Sequence, residues 1–151
     1  MSVESITVEA NNHHRGGHYD AAIKSHLQAL SLLEKDPARE NNNGGGTCFA
    51  TADQYRSMGA VMEDAGDFEK ALEYYERAVE LFGSLESSDR EAKIAKGEIC
   101  ELIGNMLFKK EDYERAMEKL TEAQSILKDT GGCESRLSEV EYLMEMAEMM
   151  Q

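Results

Sequence analysis

At 151 residues the chain has the length of one domain, and its 30 Asp and Glu against 16 Lys and Arg give a formal charge of −14. Such a surface repels phosphate backbones and anionic headgroups, which excludes nucleic-acid and membrane-surface binding and favours basic partners. Helix formers dominate, with one proline and no tryptophan, so the expected class is all-α. No apolar run approaches the roughly 20 residues of a membrane span. The start, Met1-Ser2-Val3-Glu4-Ser5, has neither the basic nor the apolar part of a leader. Cys48, Cys100 and Cys133 are odd in number and form no CxxC pair. That is the pattern of free thiols in a reducing, cytoplasmic setting.

The first expected element is a helical hairpin over about 2–35. Its first helix carries Ile6, Glu9, Ala10 and His13 on one face. After Gly17 the second helix follows, with Tyr19, Ala22, His26, Ala29 and Leu32 at steps of three and four. Such steps keep one face of a helix. The tract from Pro37 to Gly46, rich in Asn and Gly, predicts a flexible loop over about 37–47. A second hairpin is expected over about 48–83, its faces marked by Tyr55, Met58, Gly59 and Met62, then by Phe68, Ala71, Tyr75, Ala78 and Leu81. A third, over about 89–129, repeats the pattern with Cys100, Ile103, Gly104 and Leu107, then Tyr113, Ala116, Leu120, Ala123 and Ile126. Gly131-Gly132 breaks that helix. A seventh helix over about 134–150 then shows Leu137, Val140, Leu143, Met146, Ala147 and Met150 as an apolar stripe.

Three segments align without gaps: Gly17-His18-Tyr19-Asp20-Ala21-Ala22, Gly66-Asp67-Phe68-Glu69-Lys70-Ala71 and Glu111-Asp112-Tyr113-Glu114-Arg115-Ala116. In each, an aromatic precedes an alanine by three residues. Small residues at Ala10, Gly59 and Gly104, facing Ala22, Ala71 and Ala116, allow two helices to approach closely. Asp67 and Asp112 stand where a side chain caps the helix that follows.

Tyr55, Met58, Gly59, Ala71, Tyr75 and Ala78 fill, in order and spacing, the signature of the tetratricopeptide repeat, and the chain resembles that family over nearly its whole length. The third copy departs with Cys100 and Leu120, and the first with Ile6, Glu9 and His26. The aromatics recur 49 and 45 residues apart, from Tyr19 to Phe68 to Tyr113, longer than the family's usual unit of about 34. In this the chain is similar to kinesin light chains and polarity adaptors.

The resemblance implies a right-handed superhelical stack of antiparallel helical hairpins, three hairpins plus a C-terminal helix in a single domain, with the first helix of each hairpin on a concave face. By helical phase the contact set on that face is Thr7, Asn11 and His14, then Asp53, Arg56, Ala60 and Glu63, then Glu101, Asn105 and Phe108. This groove is mixed and leans acidic, suiting a basic or amphipathic segment in helical or extended form. The family's clamp for acidic chaperone tails needs cations on these slots. Here Thr7 and Glu101 stand where lysines belong and Ser57 where an asparagine belongs, so acidic tails are excluded as ligands.

No catalytic or cofactor motif appears. His13, His14 and His18 point in different directions with no ligand shell to complete, and His13 takes the interior slot of Met62 and Leu107. The expected protein is therefore a non-catalytic interaction adaptor without metal or cofactor. The alternative is a structural subunit of a larger, cytoskeletal or motor-associated assembly. It would dock, or self-associate, through the methionine-rich last helix at Leu143, Met146 and Met150.

Overall fold

The computed structural model describes residues 2–35, 45–85 and 90–151, with backbone alone for 45–48. Among the described residues there are seven helices and no strand. In chain order they are α1 (Val3–Arg15), α2 (Tyr19–Glu34), α3 (Gly45–Ala65), α4 (Phe68–Gly83), α5 (Arg90–Lys109), α6 (Tyr113–Thr130) and α7 (Glu134–Met150). The chain falls into two compact units, Met1–Leu81 and Phe82–Gln151. In the first, α1 packs on α2 and α2 on α3; in the second, α5 packs on α6 and α6 on α7. No described helix is long and apolar enough to cross a membrane.

The three tight turns share one backbone solution. His18 N–H donates to His13 C=O at 2.8 Å, Asp67 N–H to Met62 C=O at 2.9 Å, and Asp112 N–H to Leu107 C=O at 2.9 Å. One residue earlier, the amides of Gly17, Gly66 and Glu111 reach back three residues at 3.1, 3.1 and 3.0 Å. This closing pattern needs a left-handed residue, normally glycine. Gly17 and Gly66 supply it at φ 78° and 84°, whereas Glu111 is forced to φ 63°. A side chain there costs about 1 kcal/mol. Glu111→Gly is expected to stabilise the second unit by about 0.5–1 kcal/mol, read as a higher midpoint in urea. After the second and third turns the next helix is capped, Asp67 accepting from Lys70 N–H at 3.2 Å and Asp112 from Arg115 N–H at 3.3 Å, whereas His18 at the first turn makes no side-chain cap.

Alanines and glycines let the helices close up, and larger side chains fill the cores. Met58, Tyr75 and Ala71 are fully buried in the first unit, as are Ile99, Cys100, Ile103 and Leu120 in the second. The expected stripe drifts by one residue at its far end. Leu32 is exposed while Leu33 is buried, and Phe82, not Leu81, is the fully buried residue. A period of 3.6 explains this: after steps of four and three the next inward position is four on.

Two further expectations are corrected. The loop over 37–47 ends early, because α3 begins at Gly45; the remainder of that tract lies outside the described residues. Helix propagation adds a hydrogen bond for each residue fixed, so a packed α3 extends back through poor helix formers. His13 does not take an interior slot. It is half-exposed, its Nε2 3.7 Å from Glu9 one turn earlier.

Candidate functional site

On α1 and α3 most of the expected contact residues are already engaged within the first unit. Thr7 Oγ1 donates to Val3 C=O at 2.7 Å and accepts from Gln54 Nε2 at 2.9 Å. With its amide nitrogen committed to Thr7, Gln54 turns its oxygen to His26 Nδ1 at 2.7 Å. His26 Nδ1 therefore carries the proton and donates, which leaves Nε2 as a bare lone pair. His26 is fully buried, and that Nε2 has no hydrogen-bond partner. Burial pushes the imidazole below its usual range, opposed by the bond to Gln54 and reinforced by His14. Thr7 is thus the outer end of a polar chain running through α1, α3 and α2.

His14 meets Asp64 at 2.5 Å through Nε2, and its ring stands edge-on to Tyr19 at 6.0 Å. Phe108, the same slot in the third copy, stands edge-on to Tyr113 at 5.3 Å. In the second copy Glu63 fills the slot and accepts from the buried Tyr75 hydroxyl at 2.9 Å. Burial, with Glu63 adding to it, holds that phenol protonated. The slot therefore fastens the first helix of each hairpin to the second, while its outer edge stays partly exposed. On the rest of the face Asp53 pairs with Arg56, Ala60 and Asn105 are half-exposed, and Asn11 is exposed.

Glu101 departs from expectation. It is buried at 8% exposure and accepts from Arg136 Nη1 of α7 at 3.0 Å, so it is not offered to a partner. Arg136 also lies 3.7 Å from Glu98. Burial pushes the Glu101 carboxyl up, and Arg136 pulls it back. The expected stripe of α7 is likewise split. Val140 and Ala147 are buried, Leu143 and Met146 half-buried, while Tyr142, Met149 and Met150 are 62%, 78% and 55% exposed.

Among the described residues no group of three or more His, Cys, Asp or Glu is placed to hold a metal ion. Burial pushes the Cys100 thiol up to about 12, so it stays protonated and a poor nucleophile. Cys133 is half-exposed, and the side chain of Cys48 lies outside the described residues. A cleft of about 680 Å³ opens in the first unit between the start of α2 and the turn from α3 to α4, lined by His18, Tyr19, Asp20, Lys70 and Tyr74 among others. It lies away from the expected face.

Sequence reasoning missed Gln54, Asp64 and Arg136, the partners that engage His26, His14 and Glu101. The signal for Gln54 was available: a polar residue in the slot that Ile99 fills one repeat later. Arg136 left a weaker trace, as the lone cation of a helix with five glutamates.

Paired helices joined by three closing turns of one hydrogen-bond pattern define a helical-hairpin repeat protein. Residues 52–84 match the family model of the tetratricopeptide repeat. The repeat is thus shown for that segment, and the fold around it is of the same helical-hairpin kind. Among solved structures it is similar to BtubC (BKLC) from P. vanneervenii, with a TM-score of 0.76 and 17% identity over 98% of this chain and 56% of that one. It is also similar to the yeast histone chaperone Hif1, described as a scaffold protein recruiting protein complexes to core histones. There the TM-score is 0.68 with 18% identity, over 86% of this chain and 55% of that one. The chain thus spans little more than half the length of either. No curated protein matches it by sequence.

Proposed function

We propose that the chain is a non-catalytic adaptor that holds a basic or amphipathic segment of another protein against the first-helix face of its hairpins. The supporting observation is the α3 face, where Asp53, Arg56, Ala60 and Glu63 stay half-exposed while three of them are held in place, Asp53 and Arg56 by each other and Glu63 by Tyr75. Arg56 is paired to Asp53, so Glu63 and the neighbouring Asp64 set the sign of the surface, and that sign favours a cationic ligand. Side chains fixed in advance lose less freedom on binding, which otherwise costs about 0.5–1.5 kcal/mol each. Hif1 is a scaffold by its own description, and a shared fold makes that class of role available here without assigning it.

Affinity capture on the immobilised chain, followed by hydrogen-exchange footprinting with each captured protein, tests the site. Protection is expected in α1 and α3, with capture reduced about tenfold by Arg56→Glu combined with Glu63→Lys. Unchanged capture by that variant, with protection confined to other helices, removes the assignment.

A second reading is supported by the exposure of Met149 and Met150: the chain is a structural subunit that docks through α7. A wild-type dimer in light scattering, returned to monomer by Met146→Glu or Met150→Glu, would establish self-association as the mode. A monodisperse wild-type monomer leaves docking on a different partner.

A further inference from the structure

The outward strip of α7 has an unusual composition for a surface helix. At 100° per residue, Tyr142, Leu143, Met146, Met149 and Met150 share an arc of about 120° that lies beside the buried Val140 and Ala147 and turns outward from them, Leu143 and Met146 half-buried and the other three exposed. Soluble surfaces rarely expose contiguous apolar residues of this size without a partner. Glu145 borders the strip on one side and Glu139 stands within its arc one turn before Tyr142, both exposed. The nearby cations are occupied elsewhere: Arg136 on Glu98 and Glu101, Lys128 beside Glu141 at 3.9 Å. Among the described residues no cation pairs with Glu139 or Glu145, so the rim keeps its negative charge.

We propose that this strip docks a cationic amphipathic helix of a partner protein, an inference that rests on the reading of α7 as a docking element and names its occupant. Methionine side chains adapt to differently shaped apolar anchors. A helix with apolar residues at i, i+3 or i+4 and i+7 lays them along such a strip, and its flanking Lys and Arg meet the carboxylate rim. A second copy of this chain presents the same carboxylates, and two such faces brought together repel. Anionic lipid is disfavoured for the same reason.

The absence of tryptophan from the chain gives a clean readout. A synthetic Leu/Lys amphipathic helix of about 18 residues, roughly 27 Å long and bearing one tryptophan, is titrated with the full chain, and its emission is followed. Saturable binding with a blue shift is expected, weakening with salt. Met149→Glu with Tyr142→Glu, and separately Glu139→Lys with Glu145→Lys, each weaken it about tenfold or more; Glu73→Lys with Glu76→Lys, exposed on α4, leaves it unchanged. Circular dichroism of the variants verifies that the helices persist, since the substituted side chains are all exposed. No binding by wild type, or equal binding of a sequence-scrambled peptide, overturns the inference. So does binding insensitive to both α7 pairs. A wild-type dimer that Met149→Glu returns to monomer also overturns it, by making a second copy the occupant, yet leaves the docking reading intact.

Discussion

Gly59→Ala is expected to destabilise the first unit by about 2 kcal/mol, although alanine is the better helix former. A Cβ at that position would lie 2.5 Å from Tyr75 Cδ1 and 2.6 Å from Cε1. The ring is 1% exposed and its hydroxyl is tied to Glu63, so it has neither space nor freedom to swing aside. A contact this short against a held ring puts the overpacking cost at about 3 kcal/mol, the upper end of its usual range; the gain in helix propensity returns about 1. The midpoint of thermal unfolding of that unit should drop by about 8–16 °C. Gly104→Ala meets Leu120 at 2.7 Å. It should cost less, because an aliphatic side chain with no polar tether rearranges more readily. A change within a few tenths of a kcal/mol for Gly59→Ala would show that the tie between Tyr75 and Glu63 does not hold the ring.

Acidification should weaken the first unit through His26. The imidazole is buried with Nε2 unpartnered, and its folded value lies below the ordinary 6.5. The unfolded chain therefore binds the proton first. Stability is complete above about pH 6.5 and is lost as pH falls from there through the folded value, with a slope of at most about 1.4 kcal/mol per pH unit for one proton. Asp53 opposes the shift and His14 favours it, so both belong to the balance. Replacing the pair by His26→Leu with Gln54→Leu removes two buried polar groups together, which is close to neutral or stabilising. That variant should lose the part of the pH slope between 6.5 and 5. Urea midpoints at pH 7.5 and 5.5 read the difference, and equal slopes in both proteins would show that His26 is not its source.

The same two sites mark how much of the molecule was legible beforehand. The hairpins were legible because an aromatic, an alanine and a small residue recur in register, and because the closing turns and aspartate caps are local in sequence. The paired glycines 59 and 104 could be read as places of close approach, though not the ring and the leucine that meet them. The far end of the first two stripes slipped by a residue, from Leu32 to Leu33 and from Leu81 to Phe82, as a 3.6 period approximated by integer steps allows, while the third kept Ile126 buried and added Leu127.

The candidate site was less legible than the hairpins. Helical phase places Thr7, His14, Glu63, Glu101 and Phe108 on one face of their helices, and that much follows from the order of residues. Whether such a side chain greets a partner or a neighbour depends on what stands opposite. For Glu101 it is Arg136, 35 residues away, and for His14 it is Asp64, 50 residues away. No periodicity within one helix carries that information.

By itself, then, the sequence determined the helical class, the three-fold repetition, the turns and caps and the negative surface. Each of these is decided by intrinsic propensity, local hydrogen bonds or summed charge. Only the tertiary structure decided which polar residues are spent inside the chain and which remain outside. Pairing and burial depend on contacts between distant helices, and a few ångströms separate a buried ion pair from an open surface.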